Sequence, residues 1–470
     1  MHVETRDMID KVKDECGVMG MFDMSGADVA RDVSFGLFAL QHRGHISCGI
    51  VANDNYKLTS VKDNGLVGEV FNVKNLAELK GNIAVGHVRY SFGSDAKEHI
   101  QPLTSHYCKG TVALAKNGMI TNAAKLTEEL ENNGTIFQTD RDTEVILHLL
   151  AQARTHCPSV QTAIIEVMGQ IEGAYSMVLM SPKKLVAVRD PLGYRPLCLG
   201  KKGSAYVVAS ETCALDAIGA QFLRDVQPGE VICIDANGLH SYLNHSHGES
   251  RHCLYEYVYF SRPDSIVDGT SVYEVRMRAG ELLARCCPAD GADVVFGVPD
   301  GGVSYAQGYS IASGLPLRSG IVKNKFSSRS LFSLEDKGRL VAITLKYNIL
   351  KANVTGKNVV LVDDSLVKGE TAAKLIGMLK EAGAKKVHLR IGAPKILHTC
   401  PLGIQMPHDD KLFAVHYKTE AQMCAHLGCD TIGFLPLDAV DKVGMNGEKN
   451  YCTDCFGGKA ASCKKACKTK

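Results

Sequence analysis

The stretch Val359-Val360-Leu361-Val362-Asp363-Asp364-Ser365-Leu366-Val367-Lys368-Gly369-Glu370-Thr371 constrains this chain more than any other. Four consecutive apolar β-formers read as a strand buried on both faces, and therefore as part of a parallel sheet. Two carboxylates end the strand, a loop of small residues follows, and 372–382 then carries a helical pattern. A strand, a tight loop and a helix N-terminus together aim backbone N–H groups and a positive dipole end at one point, where a phosphate can sit. The paired acids suit a ribose diol or a sugar-bound magnesium, both of which favour hard carboxylate oxygens. The plainer alternative is an ordinary strand-to-helix turn with solvated acids.

At 470 residues the chain has room for two or three domains with proper cores. A net charge of +2 and a mean hydropathy of −0.04 exclude the charge signature of a nucleic-acid binder or a membrane-surface protein. No apolar run approaches a membrane span, and the charged start MHVETRDMIDKVKDE lacks a signal-peptide core, so a cytoplasmic setting is expected. Most of the 17 cysteines sit singly in apolar runs, as Cys198 and Cys233 do, and read as small buried hydrophobes. Cys16 and a C-terminal group stand apart.

From about 16 to 245, β-rich runs at 81–87, 111–115 and 174–180 alternate with helical patterns at 122–132 and 143–153. The polar stretch 236–252 is the expected linker. Beyond it, a helix (273–287), a strand (293–298), a helix (304–313) and the strand–loop–helix of 359–382 alternate as in a mainly parallel sheet. Residues 445–470, rich in Gly, Lys and Cys without periodicity, need an outside restraint to be ordered. There is no internal repeat.

The 359–371 segment resembles the PRPP (phosphoribosylpyrophosphate) motif of type I phosphoribosyltransferases, and its wording is closest to the glutamine PRPP amidotransferase family. Elsewhere the chain carries Glu15-Cys16-Gly17, Gln41-His42-Arg43-Gly44, Gly86-His87-Val88-Arg89-Tyr90-Ser91, Asn117-Gly118 and Asp142-Thr143-Glu144. Arg189-Asp190-Pro191, Ala209-Ser210-Glu211 and Glu256-Tyr257-Val258-Tyr259 continue the likeness. The resemblance implies an α+β N-terminal-nucleophile glutaminase domain (an αββα sandwich) over 16–245, after a propeptide at 1–15. It further implies an α/β type I phosphoribosyltransferase domain with a parallel sheet over 246–445 and a cysteine-containing tail at 446–470.

On that resemblance, removal of the propeptide frees an α-amino group, with a reference pKa of about 7.7–8, to take the Cys16 thiol proton. The thiolate attacks the glutamine amide, Asn117 and Gly118 hold the oxyanion, Arg89 holds the α-carboxylate and Asp142 the α-ammonium. Asp363 and Asp364 hold ribose and Mg2+. The loop with Ser365, Lys368, Gly369 and Thr371 holds the 5′-phosphate. Lys323, Arg329 and Lys346 face pyrophosphate, with the basic run 323–329 as a closing loop. Ammonia passes inside the protein to PRPP, giving phosphoribosylamine, the first step of purine synthesis.

Several positions depart from the family wording: His45-Ile46-Ser47-Cys48-Gly49, Phe92, Met119, Gly301 where a serine is usual, Glu370 in the phosphate loop, and Tyr347. A ring at Phe92 narrows the glutamine pocket, and a carboxylate at Glu370 opposes an anionic ligand unless it turns outward. These positions keep a second reading open: a divergent paralogue retaining the glutaminase or only the fold, with a regulatory or structural role.

Taken locally, Cys452, Cys455, Cys463 and Cys467 suit a zinc ion. The resemblance instead implies a [4Fe–4S] cluster on Cys253, Cys400, Cys452 and Cys455, leaving Cys463 and Cys467 as spare thiols. It also implies a homodimer or homotetramer and inhibition by purine nucleotides.

Overall fold

A computed structural model describes residues 16–90, 96–243, 250–324, 343–444 and 451–457. The 1–15 segment, Phe92, Arg329, Cys463 and Cys467 lie outside the described residues.

The first half is two stacked antiparallel sheets. A seven-stranded sheet has Gly17–Asp23 at its centre, between Ala205–Ala209 and Ile83–Arg89. A six-stranded sheet is centred on Gly173–Ser181, between Gly110–Ile120 and Lys184–Arg189. Both facing surfaces are apolar. Val18, Val51 and Val85 from one sheet meet Ala113, Ala115 and Val178 from the other in a single buried cluster. The outer faces are covered by helices: Ala30–Ala39 and Thr212–Ala217 on the first sheet, and Asp142–Ala153 and Val160–Met168 on the second. Helix, sheet, sheet, helix is the layer order of an αββα sandwich.

Two local expectations change here. Gly110–Ile120 is an eleven-residue strand, well beyond the 111–115 run, and it carries Lys116, Asn117 and Gly118 through the sheet interior. Lysine and Asn-Gly are poor strand formers, and pairing with Gly173–Ser181 overrides their propensity. Within the expected linker, Gly238–Leu243 is an edge strand paired with Glu230–Asp235. Its solvent-facing residues give it a polar sequence. The remaining linker positions 244–249 lie outside the described residues.

The second half is built on a four-stranded, fully parallel sheet in the order Val294–Gly297, Asn358–Asp363, Lys386–Ile391 and Thr431–Phe434. Asn358–Asp363 is an interior strand whose Val359, Val360, Leu361 and Val362 are wholly buried, as the apolar run predicts. The helices Val303–Ser313 and Glu370–Glu381 follow strand ends and pack on the sheet. A separate antiparallel ribbon, Ile321–Lys323 with Tyr347–Ile349, brackets the segment 325–342.

The halves meet through charged groups. Arg43, wholly buried, donates to Glu211 Oε1 at 2.7 Å and to Glu256 Oε1 at 2.8 Å. Asp268 bonds both Arg189 and His252 at 2.7 Å. Removing one partner of such a desolvated set costs about 3–5 kcal/mol, because the others remain buried and unpaired.

Candidate active sites

Strand register brings the glutaminase residues to one end of the sandwich. Gly17 pairs with Val88, so Cys16, one residue earlier, is level with Arg89, one residue later. Arg89 is itself paired with Ser47 of the adjoining strand. His87 bridges the sheets, with its Nε2 3.2 Å from the Lys116 carbonyl, and so sets Asn117 beside this end. Burial pushes the His87 imidazole down to about 3, and the charges of Arg89 and Lys116 act the same way, so it stays neutral.

Asn117 is fully buried, and among the described residues neither its Nδ2 nor its Oδ1 has a hydrogen-bond partner. A buried amide with nothing to bond costs about 1–3 kcal/mol, a sign of a group held ready for a ligand. Gly118 has φ +105°, and a Cβ there would come 2.0 Å from the Ala174 carbonyl, so only glycine fits. Arg89 is nearly buried and donates to the His99 carbonyl at 3.2 Å. Asp142 begins its helix and accepts from the Ile120 N–H at 2.8 Å. Asp142 also carries a feature the sequence reading missed: Lys116 Nζ lies 3.0 Å from its Oδ2 and donates to the Gly118 carbonyl at 2.6 Å.

Arg43, part of the Gln41-His42-Arg43-Gly44 motif, has a positioning role that the motif alone does not reveal. Its Nε donates to the Cys16 carbonyl at 3.2 Å, while its other nitrogens reach Glu211 and Glu256. Burial raises the Glu211 pKa, and His42 and Arg43 outweigh it, holding the carboxyl well below the usual carboxylate range. No local sequence signal reports these pairings, because the partners are 168 and 213 positions away. Met119 abuts Gly403 of the second half, where a Cβ would stand 2.6 Å from Met119 Cβ. The Met119 departure therefore serves the seam between the halves.

At the second site, Asp363 and Asp364 are buried at the carboxyl end of an interior parallel strand, where ligands of open α/β sheets bind. Ser365 Oγ donates to Asp364 Oδ1 at 2.7 Å, and the Asp364 N–H donates to Asp363 Oδ1 at 2.9 Å. Gly369 caps the following helix at φ +89°, and Thr371 lies in its first turn. Glu370 does turn aside: its Oε1 is 2.6 Å from Lys368 Nζ. Gly301 is not an empty place either, since a Cβ there would meet Asp364 Oδ2 at 1.9 Å. Lys323 bonds Asp300, and Lys346, immediately before the ribbon strand Tyr347–Ile349, has its Nζ 5.0 Å from the Tyr347 ring centre. Tyr347 OH donates to the Pro299 carbonyl at 3.1 Å, tying the ribbon to the 299–302 turn.

Cys253, Cys400, Cys452 and Cys455 line one cavity, together with Tyr194, Arg195 and Leu402. His252-Cys253 pairs in parallel with Tyr451-Cys452, so both sequence neighbourhoods are pinned together. Burial pushes the Cys452 thiol up to about 12 and Cys455 well above its ordinary value. Four zinc-bound sulfurs would sit about 3.8 Å apart. Among the described residues, only His156, Cys157 and Glu166 gather Cys, His and acid ligand atoms within 4.8 Å of one another.

A sandwich with an N-terminal-nucleophile layout, joined to a parallel sheet ending in paired acids, is a glutamine amidotransferase fused to a phosphoribosyltransferase. Family models agree: a glutamine amidotransferase domain matches residues 87–217 and a phosphoribosyl transferase domain matches 271–392. The chain is 42% identical over 452 residues to a chloroplastic amidophosphoribosyltransferase of Glycine max, covering 96% of this chain and 78% of that one. It is 41% identical to the amidophosphoribosyltransferase of Methanothermobacter thermautotrophicus, covering 95% of this chain and 94% of that one. The solved glutamine PRPP amidotransferase of B. subtilis, complexed with ADP and GMP, superposes with a TM-score of 0.87 at 39% identity, covering 95% and 97% of the two chains. The chain belongs to the amidophosphoribosyltransferase family, a class of glutamine-dependent transferase enzymes. No helix among the described residues is long and apolar enough to cross a membrane.

Proposed function

We propose that the mature chain begins at Cys16, releases ammonia from glutamine and uses it to aminate PRPP, giving 5-phosphoribosylamine. Residues 16–245 form the glutaminase unit, 246–445 the transferase unit, and 446–470 a tail. The observation that carries this reading is the unpartnered Asn117 amide, deeply buried beside the positive-φ Gly118 at the sheet end shared by Cys16 and Arg89. In this reading the free α-amino group takes the Cys16 proton, and the sulfur attacks the amide carbon. Asn117 Nδ2 and the Gly118 N–H take the negative oxygen, and Arg89 fixes the carboxylate. Arg43 holds the Cys16 carbonyl and is a positioning residue. At the other site, Asp363 and Asp364 take the ribose, the 365–371 loop the 5′-phosphate, and Lys323, Arg329 and Lys346 the pyrophosphate. Magnesium, when bound there beside Asp363 and Asp364, would neutralise pyrophosphate charge.

The four cavity thiols, drawn from three separate stretches of the chain around one shared apolar cavity, would hold a cluster of several irons. Such a group would tie the linker, the transferase body and the tail together. A brown anaerobic preparation bleached by Cys400→Ser is expected; colourless protein carrying zinc would refute the assignment. No disulfide joins the described cysteines, which supports a reducing, cytoplasmic setting. A homodimer or homotetramer, and inhibition by purine nucleotides, complete the proposal. The solved B. subtilis relative is itself complexed with ADP and GMP. Partners among nucleic acids or membranes are not part of it.

The alternative, a paralogue with a regulatory or structural role, draws on Gly301, whose missing Cβ is replaced by the Asp364 carboxylate. Titrating PRPP with magnesium by calorimetry separates the two. Saturable binding supports the transferase, and absence of heat supports the paralogue.

A further inference from the structure

We infer that His156, Cys157 and Glu166 form a binding site for a divalent cation of the zinc class, set on the outer face of the glutaminase half, where it pins two helices together. The site lies at the far end of the helix that Asp142 begins, about 17 Å along its axis, and takes no part in either half-reaction.

The helix Asp142–Ala153 ends in a tight turn, in which the Cys157 N–H donates to the Ala153 carbonyl at 2.8 Å and the Arg154 guanidinium holds the Cys157 carbonyl. Ser159 then caps the next helix, Val160–Met168, by accepting from the Thr162 N–H at 3.2 Å. That helix buries Ala163, Ile164 and Val167, and so presents Glu166 outward beside the turn. His156 Nε2 lies 2.9 Å from Glu166 Oε2, and the Cys157 thiol donates to the same oxygen at 3.3 Å. The three ligand atoms all fall within 4.8 Å of one another. A tetrahedral zinc holding N, O and S at about 2.0–2.3 Å needs its donors about 3.3–3.5 Å apart. Both edges to Glu166 already stand near that length, and the third is within side-chain reach of it.

The His156 ring is turned for ligation. Thr155 Oγ1 gives its one proton to the Gln152 carbonyl at 2.7 Å, so towards His156 Nδ1, 3.3 Å away, it acts as acceptor. That network assigns the proton of the neutral ring to Nδ1 and leaves the Nε2 lone pair facing the Glu166 carboxylate. Two acceptors at 2.9 Å repel each other unless a cation lies between them. A ring proton serves that need for the His–Glu pair alone, whereas a metal ion also takes in the Cys157 sulfur. Thr155 then orients the ligating ring, as outer-shell partners of metal-bound histidines do. Imidazole nitrogen, thiolate sulfur and one carboxylate oxygen suit zinc and disfavour magnesium or calcium, which take oxygen donors. On binding, the thiol loses its proton to solvent and the sulfur donates an electron pair to the metal, with no change of oxidation state.

The test titrates purified protein, kept anaerobic in a phosphine reductant, with Co2+ as the optical probe and with Zn2+ by calorimetry. Wild type is expected to take up one equivalent more than Cys157→Ser, with cobalt–thiolate charge-transfer absorption that the variant lacks. Metal taken by other thiols is common to both proteins and cancels in the difference. Glu166→Gln should weaken the same equivalent about tenfold or more. Zn2+ should raise the melting temperature of wild type more than that of Cys157→Ser, since only the wild-type fold gains this ligand. Equal uptake and equal absorption in wild type and Cys157→Ser, or an affinity unmoved in Glu166→Gln, overturns the inference. If Cys157→Ser does not fold, His156→Ala, whose side chain is 61% exposed, takes its place. Either result leaves the glutaminase and transferase readings untouched.

Discussion

Each substrate site holds a lysine–acid pair of its own, and the two pairs differ in burial. In the glutaminase half, Lys116 and Asp142 meet at 3.0 Å with the lysine out of solvent. In the phosphate loop, Lys368 and Glu370 meet at 2.6 Å with side chains 20% and 35% exposed. An exposed pair is screened, worth about 0–1 kcal/mol, and opens cheaply when a phosphate competes for the lysine. With its lysine out of solvent, the Lys116–Asp142 pair is the costlier of the two to break. Two lysine–acid pairs of similar length thus differ in how readily each opens: the Lys368–Glu370 pair more easily than the Lys116–Asp142 pair.

The largest expected effects lie on the buried side. Cys16→Ala should abolish ammonia release from glutamine while leaving amination of PRPP by added ammonia, read as phosphoribosylamine formation. Asn117→Ala should lower kcat for glutamine hydrolysis on the order of 100- to 1000-fold, as loss of an oxyanion donor does. A loss under tenfold would remove Asn117 from that role. Next comes Gly301→Ser. Its Cβ would displace the Asp364 carboxylate, so PRPP binding measured calorimetrically should weaken by about tenfold. Glu370→Thr should tighten PRPP binding only by severalfold, since the pair it breaks is partly exposed. A tightening beyond about tenfold would contradict the reading of Lys368–Glu370 as a weak, partly exposed pair.

The smallest effect is one of pH on stability. His87 has a reference pKa of 6.5 and is pushed down to about 3 when folded. Below pH 6.5 the unfolded chain takes up a proton that the folded chain refuses. The stability carried by neutral His87 is therefore full above 6.5 and lost as pH falls toward 3. Thermal melts should show a shallower fall between pH 6.5 and pH 4 in His87→Asn than in wild type; parallel curves would exclude His87 from that fall.

Much of this molecule was legible in its sequence, for reasons that differ by residue. The buried run Val359 to Val362 announced a parallel strand because no other element needs such continuous apolarity. Motifs associated Cys16, Arg89, Asn117 and Asp142; strand register brings the first three to one end of the sandwich, and Asp142 joins from a helix start through the Ile120 N–H. The Gly110–Ile120 strand was read too short because Lys116 and Asn117-Gly118 break its alternation, and the pairing that overrides this is non-local. Gly238–Leu243 was read as linker because an edge strand is free to be polar. The Arg43–Glu211–Glu256 set and the Lys116–Asp142 pair were invisible. Each joins residues whose nearness only the finished fold creates, and a lysine in a strand ordinarily reaches out to water.

The account stands on coupling between an unmasked Cys16 and the acid-tipped strand at Asp363 and Asp364. Glutamate release by protein of verified N-terminus, at saturating glutamine with and without PRPP and magnesium, tests it most directly. The expected result is a chain beginning at Cys16 whose glutamate release rises when PRPP is present, with phosphoribosylamine formed in step. A folded chain that keeps Met1, or glutamate release indifferent to PRPP, would contradict it.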